Sequence, residues 1–228
     1  MNRTLFNSLH ENTTPLMVLA GLLYSSWPLG YWLNPQVDRG LASNLEALHQ
    51  PYNWVFISMD ILSGIFAGIA CRKLLTTVKR SSSQKTLLGL SVAIWGTATF
   101  ALFTAIDAIV PLDCVEGSPN CPVSLHNPHL VFHGLFSVGS IGGLTVSIFA
   151  IWLLLFVRED AVRSLAHLTP ATFLLVWLGF GIFTLYLVLH NQTSQLAQHL
   201  FISFCSLWLI ILPYFVRLAT NLQPVNHS

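Results

Sequence analysis

The chain has 228 residues, 54% of them hydrophobic and only 8% charged, with a formal net charge of +1. A soluble domain carries about 25% charged residues. A deficit this large along the whole chain, with mean hydropathy +0.65, reads as a polytopic membrane protein, leaves no room for a soluble domain and implies no nucleic-acid partner.

A membrane-crossing helix needs about 20 apolar residues. Six stretches qualify, at about 15–33, 54–75, 87–110, 129–157, 168–189 and 197–216. The expected fold is therefore all-α, a single six-helix transmembrane bundle. The stretch 2–14 is polar and no small-residue cleavage site follows the first apolar run, so that run is read as a span rather than a signal peptide. Thr13-Thr14-Pro15 suits its start, because proline has no N–H to lose in a first turn. It ends among Tyr24, Trp27, Tyr31 and Trp32, the aromatics of an interfacial belt.

The loop 34–50 carries Asp38, Arg39, Glu46 and His49 and is long enough for a short surface helix. The second span opens at Pro51-Tyr52-Asn53-Trp54, contains Ser58 and Asp60, and closes at Arg72-Lys73. With Lys79, Arg80 and Lys85 these make the most basic segment, which the positive-inside rule places in the cytoplasm. Arg158, Arg163, Arg217 and Arg3 then fall on the same side. The loop 111–128, which has no Lys or Arg, falls outside. The expectation is a multi-pass protein of a bacterial inner membrane with both termini cytoplasmic. The third and fourth spans are rich in small residues (Gly89, Gly96, Thr97, Ala101; Gly134, Gly139, Ser140, Gly143), which let helices approach closely in lipid and predict an interior position.

This orientation sets the depth of each ionisable residue. At about 1.5 Å per residue, Asp60 lies about 9–12 Å inside the outer end of the second span. A carboxylate there costs about 2.5–3.5 kcal/mol on insertion scales, so it should face the interior and pair. Asp107 ends the third span, His129 and His133 open the fourth, His190 closes the fifth and His199 opens the sixth. Separate helices thus bring acids and imidazoles to one level near the outer surface. His129 and His133, four apart, share a helix face, with Ser137 one turn deeper. Two imidazoles at that spacing suit zinc, with His190 or His199 as a further ligand. A wet polar network without metal is the other reading of the same pattern, and the one the short HxxxH motif favours. Asp60, Asp107 and Ser137 are the candidate catalytic groups. Cys114 and Cys121, seven apart across a Gly/Ser/Pro turn, read as a disulfide in an oxidising compartment.

Gln50-Pro51-Tyr52 followed by Met59-Asp60-Ile61-Leu62-Ser63-Gly64, and then Pro111-Leu112-Asp113-Cys114, Cys121, His129, His133 and Ser137, resembles a prokaryotic membrane family catalogued as domain of unknown function 998. The resemblance implies a fold and no activity. More distantly, the layout is similar to the seven-span hydrolase superfamily of alkaline ceramidases and progestin/adiponectin-type receptors, where histidines hold zinc beside Ser and Asp. Here, however, the HxxxH lies in the fourth span rather than the last.

Three functions follow as expectations. One is a zinc-dependent hydrolase of lipid or amide bonds, in which Asp60 or Asp107 is the base for a metal-activated water. Another is a non-enzymatic transporter or small-molecule-binding protein using the same acids and histidines. The third is a haem or quinone protein, with His133 facing His199. Membrane lipids are the expected surroundings, and a lipid or small molecule the expected ligand. No phosphate loop, dinucleotide fingerprint or HExxH occurs.

Overall fold

In hydrocarbon a backbone finds no hydrogen-bond partner but itself, so each long apolar run closes into a helix. The computed structural model describes residues 3–34, 45–47, 50–81, 84–110, 128–157, 168–189 and 195–221. These form seven α-helices and, among the described residues, no strand: α1 Arg3–Tyr24, α2 Gly30–Leu33, α3 Asn53–Ser81, α4 Gln84–Ile109, α5 Pro128–Phe156, α6 Leu168–Leu189 and α7 Gln195–Asn221. Four helical stretches are long and apolar enough to cross a membrane: Asn53–Arg80, Thr86–Ile109, Val131–Phe156 and Gln198–Thr220. The protein is a multi-pass membrane protein.

The first span departs from its expected form in two ways. It does not start at Pro15. Helix α1 begins at Arg3 and runs through that proline, whose ring removes a single backbone bond, the one to the carbonyl of residue 11. Nor is it one straight rod to residue 33. Thr13–Tyr24 and Trp27–Leu33 meet at a bend of 41°. Pro28 has no N–H to continue the ladder, so the chain tightens into a 3-10 turn, Trp27–Leu29, closed by the Leu29 amide donating to the Ser26 carbonyl at 2.9 Å. Helix α3 outruns its apolar stretch, and its last turn carries Lys79 and Arg80, cations placed favourably at a helix C-terminus.

The long helices form a closed ring. Each packs on the next in sequence, α1 on α3, α3 on α4, α4 on α5, α5 on α6, α6 on α7, and α7 returns to α1. Helix α7 also reaches α3, α4 and α5. Its Trp208, with no exposed surface, fills the middle among Phe173, Phe215 and the α5 residues Ile148 and Ile151. Leu22, Trp54, Leu88, Trp95, Leu102 and Leu175 point outward, a girdle that suits lipid.

The α4–α5 pair is the most extensive contact. Lipid is as apolar as leucine, so close packing and hydrogen bonds, rather than hydrophobic burial, hold such a pair together. A methyl group added to Gly96 would lie 2.6 Å from the Gly143 carbonyl oxygen, and one on Gly143 would lie 2.7 Å from that of Gly96. The two backbones therefore touch. Along the same antiparallel seam, Thr97 and Ser147 share a hydrogen bond of 2.8 Å and Thr104 and Ser140 one of 3.2 Å. Trp208 Nε1 donates to Ser147 Oγ at 3.1 Å, tying α7 into the seam. Cys71 and Cys205 are free, buried packing residues. The expected Cys114–Cys121 disulfide lies outside the described residues.

Candidate functional site

At one end of the α4–α5 seam the hydroxyl pairs give way to ionisable ones. Asp107 stands in the last turn of α4. His133 and Ser137, one turn apart on α5, face it together. His133 Nδ1 meets Asp107 Oδ1 at 2.9 Å, and Ser137 Oγ donates to Asp107 Oδ2 at 2.9 Å. Both oxygens of one carboxylate are engaged. The serine and the imidazole share Asp107 rather than each other, so this is not the serine-to-histidine relay of a nucleophilic triad.

A second pair lies beside the first. Asp60, near the start of α3, and Glu46 lie close enough to act on each other. Asp107 acts electrostatically on both acids, and His133 acts on Glu46. Asp60, Asp107 and Glu46 together act on the hydroxyl of Tyr24, whose ring stands edge-on to Phe100 with centroids 5.1 Å apart. Burial pushes the Glu46 carboxyl up from its ordinary 4.5 to about 7. Asp107 pushes the same way, while His133 and Asp60 pull it down. Burial and the neighbouring Asp107 thus favour the protonated form of Glu46.

The described residues on either side of Glu46 pack against the bundle. Ala47 is buried, and Leu45 packs over Gly30, where an added methyl would lie 2.7 Å from Leu45 Cδ1. The Asn34 side-chain amide donates to the Pro51 carbonyl. Tyr52 takes a left-handed conformation, φ 60, to turn the chain into α3.

The histidines do not converge. His133 turns to Asp107, and His129 stands exposed at the start of α5. The His199 ring stacks flat on Trp27, centroids 4.1 Å apart and planes 4° apart, with Tyr31 edge-on. His190 lies outside the described residues. Among the described residues no three His, Cys, Asp or Glu side chains come together in a way that would hold a metal ion. The described residues thus offer zinc no group of three such ligands.

A family profile described as "Protein of unknown function (DUF998)" matches residues 17–214. The chain belongs to the DUF998 family. The match takes in part or all of every helix of the ring and the residues Tyr24, Glu46, Asp60, Asp107, His133 and Ser137. No curated protein and no solved structure matches this DUF998 protein.

Sequence reasoning missed two members of the DUF998 pocket. The sequence places Tyr24 in an interfacial belt and Glu46 in a loop long enough for a short surface helix, neither as a site residue. The available signal for Glu46 was its setting in Leu45-Glu46-Ala47-Leu48, a lone acid among apolar residues just ahead of the Pro51-Tyr52 turn.

Proposed function

We propose that this protein binds a small organic cation in the Glu46–Asp60–Asp107–His133 pocket and exchanges a proton for it, as a proton-coupled carrier or receptor does. The carrying observation is the contact of Asp107 with His133 and Ser137, with Glu46 and Asp60 near enough to act on each other and to feel Asp107. Three carboxyl groups face one imidazole, so the pocket is short of positive charge once Glu46 gives up its proton. A protonated amine or quaternary ammonium supplies that charge, with the Tyr24 ring at hand for its apolar side.

In this reading α1–α2 and α6 complete six spans, and both chain ends lie in the cytoplasm of a bacterial inner membrane. The pocket then opens at the outer leaflet. The cations in the last turn of α3 support that orientation.

The test is thermal stabilisation of the purified full chain by a panel of primary and quaternary amines, with proton release followed in weak buffer. Stabilisation by at least one amine is expected, stronger at pH 8 than at pH 5 and lost in Asp60→Asn. If no amine stabilises the protein at either pH, the reading fails.

A second reading, metal-independent hydrolysis, is favoured by one feature. Two neighbouring carboxyl groups are also the arrangement by which aspartic proteases activate water. Turnover of a lipid or amide substrate that Asp60→Asn abolishes would decide for it.

A further inference from the structure

The half of α3 that runs away from the pocket has two unlike faces. Ala67, Ala70, Cys71, Leu74 and Val78 are buried in the bundle. The opposite face is exposed, and its residues recur every three or four positions, so they line up along the helix. First come Leu62, Ile65 and Ile69, apolar side chains turned outward. Then, within one turn, come the exposed Arg72, Thr76 and Lys79. Arg80 stands exposed beside Lys79, and the half-buried Lys73 stands beside Arg72.

Helix length fixes the level of that change. Arg72 stands about 27 Å along the axis from Trp54, which is exposed near the start of the same helix. That is close to the ~30 Å hydrocarbon thickness of a bilayer, so Arg72 meets the phosphates on one side when Trp54 meets the interface on the other. Among the described residues no acid neutralises these cations. Asp60 lies about 18 Å back along α3, and Glu46 and Asp107 act at that same end. Gly68, one turn before Arg72, leaves a notch in the outward face: a methyl added there would find no atom within 4 Å.

We propose that this face of α3 seats an anionic phospholipid, its acyl chains along Leu62, Ile65 and Ile69, its glycerol end at the Gly68 notch and its phosphate on Arg72. The Arg72 guanidinium offers two parallel N–H donors to two phosphate oxygens. Lys73, Lys79 and Arg80 add charge that a headgroup of net negative charge answers and a zwitterionic one does not. The apolar line beside the cations takes acyl chains, which free phosphate lacks. In the orientation given above the lipid belongs to the inner leaflet. The seat uses no pocket residue, so it stands or falls apart from the proposed function.

Native mass spectrometry of the full chain, released from detergent carrying equal amounts of phosphatidylglycerol and phosphatidylcholine with the same acyl chains, tests it. Retention of phosphatidylglycerol over phosphatidylcholine by about tenfold or more is expected. Arg72→Gln should cut that preference by about fivefold, and Lys79→Gln should cut it too. Arg217→Gln removes an exposed cation from α7, whose opposite end carries the His199–Trp27 stack, and should leave the preference unchanged. Gly68→Leu should lower the retention of phosphatidylglycerol by filling the notch. Its thermal stability should hold, because no protein atom stands near the added Cβ.

Equal retention of the two lipids by the wild type overturns the seat. So does an Arg72→Gln chain that keeps the full preference. An Arg217→Gln chain that loses as much as Arg72→Gln overturns it as well, since the preference then follows overall charge and not this face. Displacement of phosphatidylglycerol by inorganic phosphate at equal concentration would overturn the choice of a lipid. Unchanged retention in Gly68→Leu would overturn the placement of that lipid along α3.

Discussion

The middle and the end of the α4–α5 seam are built on one register from different chemistry. In the middle, Thr97 meets Ser147 and Thr104 meets Ser140, neutral hydroxyls that satisfy each other beside touching glycine backbones. One end of the same seam places Asp107 against His133 and Ser137, with the Glu46–Asp60 pair alongside. A hydroxyl pair keeps its state at any physiological pH. The Glu46 carboxyl beside that end, raised by burial to about 7, does not. The difference separates a part of the interface that only holds helices together from a part that can also respond.

Three substitutions test that separation. Asp107→Ala should cost most, about 3 kcal/mol in reversible unfolding from detergent, the low end for orphaning a buried partner, because Ser137 loses its acceptor and His133 its ion-pair partner. It should also abolish amine binding. Gly143→Leu should follow at about 2–3 kcal/mol, since a side chain there meets the Gly96 carbonyl and the Phe100 amide with no room to relax. Amine affinity in whatever folds should be near wild type. Thr97→Val should cost least, about 0.6 kcal/mol, the average for one interhelical hydrogen bond in a membrane, because Ser147 still accepts from Trp208. Binding should not change. If Thr97→Val proved as costly as Asp107→Ala, or if it weakened amine binding, the two parts of the seam would not be distinct.

Much of the frame was legible in the amino acids. The apolar run 168–189 coincides with α6, and the third and fourth runs match α4 and α5 to within three residues, because a hydrophobic stretch in lipid has no alternative to helix. Asp60 stood out because an intramembrane carboxylate is costly. The bend before α2 was not read, although Pro28 carried the signal, because the flanking residues are apolar throughout. Glu46 was lost for a different reason. Its partner, Asp60, lies on the far side of a left-handed turn at Tyr52, and no local pattern reports how a loop folds back. His199 shows the limit of reasoning from depth alone. A residue at the right level can still turn sideways, here onto the face of Trp27.

The ring closes only through α7, which lies against α1 and reaches α3, α4 and α5. During synthesis the earlier helices enter the bilayer first, so until α7 arrives Ser147 lacks Trp208 and the face of α1 at Gly21 has nothing to meet. Without α7 the bundle is an open trough, and that helix turns it into a vessel.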